Sequence, residues 1–96
     1  MKKAIILGSS KGIGMEIANS LRDLDIELNL PTSKELDTSN IESVKIFLKK
    51  NKKTDILVLN TGGPPALDFF KINQATWFKY YNQLFYGFVL ILQKLI

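Results

Sequence analysis

Apolar positions along the chain fall into short blocks whose period alternates between strand-like and helix-like. Ala4-Ile5-Ile6-Leu7 is a continuous apolar run ending at Gly8, the pattern of a strand buried on both faces of a parallel sheet. Ile13, Ile17, Leu21 and Leu24 then recur at helical spacing. Ile26, Leu28 and Leu30 alternate with Glu27 and Asn29, predicting a second strand closed by Pro31. Leu36-Asp37 reads as a very short third strand. Ser39 and Glu42 have capping-box spacing, so a helix is expected to start there and run through Ile41, Val44, Ile46, Phe47 and Leu48. Asp55–Leu59 is a further buried strand, followed by a loop, Asn60-Thr61-Gly62-Gly63-Pro64-Pro65. A final helix is expected from Gln74 or Ala75 to the C-terminus. Strands alternating with helices predict an α/β fold, a parallel sheet with right-handed crossovers.

Composition narrows the chemistry. The 96 residues make one domain of globular composition, 46% hydrophobic and 23% charged. With no cysteine, disulfides, thiolate metal sites and cysteine catalysis are excluded; with no histidine, so are the commonest general base and metal ligand. The formal charge is +4, and every basic residue except Arg22 is a lysine. Lys49, Lys50, Lys52 and Lys53 follow a predicted helix, where cations complement the helix dipole. No basic face is interleaved with aromatics, so no nucleic-acid partner is expected. The apolar runs at Ala4–Leu7 and Leu84–Leu92 are too short for a signal peptide core or for a bilayer span of about 20 residues. A cytoplasmic protein with no membrane partner is therefore expected.

Gly8-Ser9-Ser10-Lys11-Gly12-Ile13-Gly14 lies between the first strand and the first helix. A helix N-terminus carries unpaired N–H groups and partial positive charge, suited to a pyrophosphate. Glycines there allow a tight turn, close approach of phosphate and close packing of helix on strand. The spacing is G-x-x-x-G-x-G. It is not G-x-G-x-x-G, because residue 17 is Ile17, and no Gly-Lys-Ser/Thr marks a P-loop.

With this glycine spacing and the Asn60-Thr61-Gly62-Gly63-Pro64 loop after Asp55–Leu59, the chain resembles the short-chain dehydrogenases/reductases. The second loop is similar to the Asn-Thr-Gly-Gly-Pro branch described as 3-oxoacyl-carrier-protein-reductase-like. Asp37 matches the family's acidic residue that faces the adenine amino group. The resemblance implies a partial Rossmann fold with strand order 3-2-1-4 and flanking helices, truncated relative to the family. It also implies a dinucleotide site formed by Gly8, Ser10, Lys11, Gly12, Ile13, Gly14, Ser33, Asp37, Asn60 and Gly62. After the second strand, Pro31-Thr32-Ser33-Lys34 contains no acid that would repel a 2′-phosphate, and Lys11 and Lys34 could neutralise one. The expected cofactor is NADP, with NAD the alternative.

The family's catalytic serine and Tyr-x-x-x-Lys lie beyond position 96. Neither Tyr80, Tyr81 nor Tyr86 has a lysine four residues later. A family asparagine aligns with Leu84, and the helix between the second and third strands is absent. The resemblance thus implies a truncated NAD(P)(H)-dependent oxidoreductase, transferring hydride between NADP(H) and a carbonyl or alcohol in the source enzyme but inactive as this chain. The alternatives are a stand-alone dinucleotide-binding module and a remnant without chemistry. In the family the last helix packs on the sheet and on a neighbouring subunit, so homo-oligomerisation or aggregation is expected through that helix and an open edge at Asp55–Leu59.

Overall fold

The computed structural model describes residues 1–62 and 68–96; Gly63, Pro64 and Pro65 of the predicted second loop lie outside the described residues. Three parallel strands, β1 (Lys2–Ile6), β2 (Ile26–Asn29) and β3 (Ile56–Val58), form a sheet in the order β2-β1-β3. Helix α1 (Gly12–Arg22) connects β1 to β2, and α2 (Ile41–Lys50) connects β2 to β3. The first connection moves to one side of β1 and the second passes back across it. Right-handed crossovers in opposite directions put α1 and α2 on opposite faces of the sheet.

That arrangement explains why β1 is apolar without alternation. Ala4, Ile5, Ile6 and the following Leu7 are all buried. Ile5 and Leu7 join Leu36, Val44, Phe47, Ile91 and Leu95 in one core, against which Leu57, Leu59 and Phe88 pack. The period of two sends Ala4 and Ile6 to the other face. Burying Val44 or Ile91 completely, as here, contributes about 1.5–3 kcal/mol each. Strand β3 is paired only with β1, and Ile56–Leu59 are all half-buried. Among the described residues no strand pairs with its outer edge.

Two sequence expectations need correction. Leu36-Asp37 is not a strand, so of the expected order 3-2-1-4 only the 2-1-4 part is present. The backbone curls instead: Glu35 and Leu36 N–H both donate to the Thr32 carbonyl, at 3.0 and 2.9 Å. Leu36 is then committed to the core, and Asp37 to a turn before α2. Nor is Ser39 the cap of α2. Asn40 is, with Oδ1 accepting from Glu42 N at 3.0 Å and Ser43 N at 3.3 Å. The Ser39 hydroxyl donates to Asp37 Oδ1 at 2.6 Å and is thereby occupied.

The C-terminal helical stretch is divided. A 3-10 turn at Phe69–Lys71 precedes α3 (Gln74–Tyr81), which is capped by Asn73. A π-helical turn, Asn82–Tyr86, leads into α4 (Gly87–Leu95). The Gly87 N–H reaches five residues back to the Asn82 carbonyl. Gly87 sits so close to residue 38 that a Cβ there would come within 2.5 Å of the Thr38 carbonyl oxygen. No helix of the described residues is long and apolar enough to cross a membrane.

Candidate functional site

The glycine loop leaves the carboxyl end of β1, where open parallel sheets place their ligands. Gly8 and Gly12 adopt φ of +65° and +64°, a left-handed conformation that L side chains rarely take. At the start of α1, Lys11 occupies the cap position without using its side chain as a cap, and no acid stands in the first turn. The first N–H groups of α1 and the positive end of its dipole therefore face outward without a competing carboxylate.

Each glycine has its own reason. A Cβ on Gly14 would fall on the Gly8 carbonyl oxygen and within 2.9 Å of Asn60 Nδ2, so Gly14 lets the helix start pack against the end of β1. A Cβ on Gly8 would meet the Asn60 carbonyl oxygen at 2.6 Å. At Gly12 nothing lies within 4 Å of that position. Open space beside exposed helix N–H groups is the cradle a pyrophosphate needs, and a side chain would fill it. The residues present thus fit a dinucleotide.

The second loop is built onto the first. Asn60 Nδ2 donates to the Gly8 carbonyl oxygen at 3.1 Å, joining the ends of β1 and β3. Next to it, Thr61 Oγ1 and the Gly62 carbonyl oxygen accept from Gln83 Nε2, at 3.3 and 2.6 Å. From the third side, the Thr38 hydroxyl donates to the Gln83 carbonyl oxygen at 3.1 Å. Thr38 is the one buried polar side chain among the described residues. Its neighbour Asp37 is exposed, with Oδ1 accepting from the Ser39 N–H and hydroxyl.

Of the expected site residues, Gly8, Gly14 and Asn60 are in direct contact, and Gly62 and Asp37 belong to segments joined through Gln83 and Thr38. Ser10, Lys11, Gly12 and Ile13 are exposed on the same loop and helix start. Ser33 is exposed in the turn after β2, and no hydrogen bond among the described residues ties it to the glycine loop. Thr38 and Gln83 were not legible from sequence as site residues. The available signal was the polar pair Asn82-Gln83, set between Tyr80-Tyr81 and Leu84-Phe85-Tyr86. A groove of about 580 Å3 along α1, lined by Ile13, Met15, Ile17 and Leu21 among others, touches the site only at Gly12 and Ile13. Its apolar walls do not suit a phosphate. Among the described residues no group of acidic side chains is arranged to hold a metal ion.

Solved structures share this fold. L-sorbose reductase from Gluconobacter frateurii, complexed with NADPH and L-sorbose, superposes with a TM-score of 0.77 at 20% identity, covering 98% of this chain and 46% of that one. A short-chain dehydrogenase/reductase from Brucella ovis gives 0.80 at 18% identity over 98% of this chain and 54% of its own. A small-chain dehydrogenase in complex with NADPH gives 0.76 at 23% identity, over 99% and 46%. The chain therefore spans about half the length of the structures it matches. No family model matches the sequence, and no curated protein does.

Proposed function

We propose that residues 1–96 are the dinucleotide-binding part of a short-chain NADP(H)-dependent oxidoreductase. The observation that carries this reading is the loop Gly8–Gly14. It leaves the central strand with left-handed Gly8 and Gly12, opens a helix whose N-terminus has no side-chain cap, and is held by Asn60. Structures of the same fold that were solved with NADPH support it.

In this reading the pyrophosphate lies against the N-terminus of α1, over Gly12 and Ile13, with Ser10 and Lys11 beside it. The adenine end lies toward Ser33 and Asp37, and the nicotinamide end toward Asn60 and Gly62. Lys11 and Lys34 favour NADP over NAD, because a 2′-phosphate adds charge that two exposed lysines compensate. When bound, the cofactor supplies or accepts the hydride. These residues contribute binding and orientation. Glycine loop and helix N–H groups neutralise the phosphates, and Asn60 fixes the spacing of the two loops.

A carbonyl or alcohol substrate fits the class of the source enzyme. The sequence holds no Tyr-x-x-x-Lys to move the proton, so the 96-residue chain alone is read as binding without hydride transfer. Self-association belongs to the same proposal: Trp77, Tyr81, Phe85 and Leu92 are all about half exposed on the last helical stretch. The test is titration of the chain with NADPH and NADH, followed by calorimetry and thermal unfolding. Saturable binding, tighter for NADPH, is expected; no binding of either refutes the reading.

A further inference from the structure

Gln83 is joined to two different loops at once. Its side-chain amide spans Thr61 Oγ1 and the Gly62 carbonyl, while its backbone carbonyl receives the Thr38 hydroxyl. The π-helical turn contributes to this double use. In an α-helix the Gly87 N–H would donate to the Gln83 carbonyl; here it donates to Asn82, one residue earlier. Gly87 also lets the helix approach Thr38. The Gly62 carbonyl can only accept and so requires an NH2 group, which glutamine has and glutamate lacks, whereas the Thr61 hydroxyl can either accept from Gln83 or donate to a carboxylate.

We infer that Gln83 is a positioning residue for the dinucleotide site: through the π-helical turn it holds the loop carrying Asn60 and Gly62 at a set distance from the segment carrying Asp37. The inference rests on the reading of that site as a dinucleotide site. Among the described residues no hydrogen bond joins Gln83 to the glycine loop or to the N-terminus of α1. It acts by fixing the second loop, which in turn grips Gly8 through Asn60.

Gln83→Glu keeps the size of the side chain but turns a carboxylate toward the Gly62 carbonyl. Gln83→Asn keeps the NH2 group but is one methylene short. For both, amide hydrogen exchange of the 96-residue chain is expected to speed up at Thr61 and Gly62 while the β1 amides Ala4–Ile6 keep their rates. NADPH affinity should fall about tenfold for Gln83→Glu and less for Gln83→Asn, the size expected for one lost hydrogen bond between well-placed groups. Unchanged exchange at Thr61 and Gly62, or a rate increase spread evenly over β1 as well, overturns the inference. So does unchanged NADPH affinity in a variant whose loop exchange has increased. If the unsubstituted chain binds neither dinucleotide, the functional reading fails, and the loop-specific exchange alone decides whether Gln83 braces the loop. Should Gln83→Glu not fold, Gln83→Asn carries the comparison with the same outcomes.

Discussion

Asn60 Nδ2 and the Gly8 carbonyl oxygen, 52 positions apart in sequence, are joined by a 3.1 Å hydrogen bond. The contact clamps the end of β3 onto the turn that leaves β1. It also lies against the spot where a Gly14 Cβ would fall, so three residues of two motifs share one small volume. Replacing Asn60 by Asp removes the donor and sets a carboxylate against a carbonyl. A loss of about 1–3 kcal/mol in unfolding free energy is expected, the cost of leaving such a group without its partner. Urea unfolding measures it; an Asp variant as stable as the parent would mean that the bond contributes nothing.

Gly14→Ala is expected to damage the fold itself. The new methyl falls on the Gly8 carbonyl, and neither backbone segment can yield without moving the sheet or α1. Overpacking of this kind costs about 1–3 kcal/mol. The lowered unfolding midpoint should be the same in the presence and absence of dinucleotide when expressed as a difference from the parent protein.

Gly12→Ala should show the reverse pattern. Nothing lies within 4 Å of the added methyl, so only the left-handed backbone is penalised, at about 1–2 kcal/mol. Dinucleotide binding should weaken by more than about tenfold, because the methyl occupies the space where phosphate approaches the helix. Isothermal titration of both glycine variants separates the two roles.

Lys11→Ala is expected to weaken NADPH binding by about tenfold while changing NADH binding little, and Lys34→Ala to act in the same direction. Parallel titrations of the two cofactors measure the difference. Equal losses for both would assign Lys11 to the pyrophosphate and leave cofactor choice to other residues.

The exposed aromatics give a prediction about association. Tyr81 and Phe85 pack with ring centroids 5.6 Å apart and planes tilted by 44°, and both are more than half exposed. The double variant Tyr81→Glu, Phe85→Glu is expected to sediment as a smaller species than the parent chain. Sedimentation velocity over a range of concentrations checks this; identical behaviour would place any association at the open edge of β3.

The order of elements and the parallel sheet were legible because Ala4–Leu7 is apolar throughout and Ile13, Ile17 and Leu21 recur at helical spacing. Which face of α1 is buried was not legible, since Gly14 and Ala18 are buried and Ile13 is exposed. The glycine loop was legible because its position between strand and helix restricts what it can do. Leu36-Asp37 misled because apolar content in two residues cannot separate a strand from a turn, and the bonds to Thr32 decide it. Ser39 misled because the capping-box pattern fits it, whereas Asn40 is one residue nearer the first turn and Ser39 is engaged by Asp37. The π-helical turn had no local signature. It depends on Thr38 meeting Gln83 and Gly87, a contact across 45 positions that only the packed fold brings together.

Titrating the 96-residue chain with NADPH while following its unfolding tests the central claim most directly. Binding to the folded state is predicted to raise stability with concentration, by about 2.7 kcal/mol at one hundred times Kd, and Gly12→Ala should abolish most of that gain. An unfolding midpoint that does not move with NADPH or NADH would contradict the assignment of this loop to a dinucleotide.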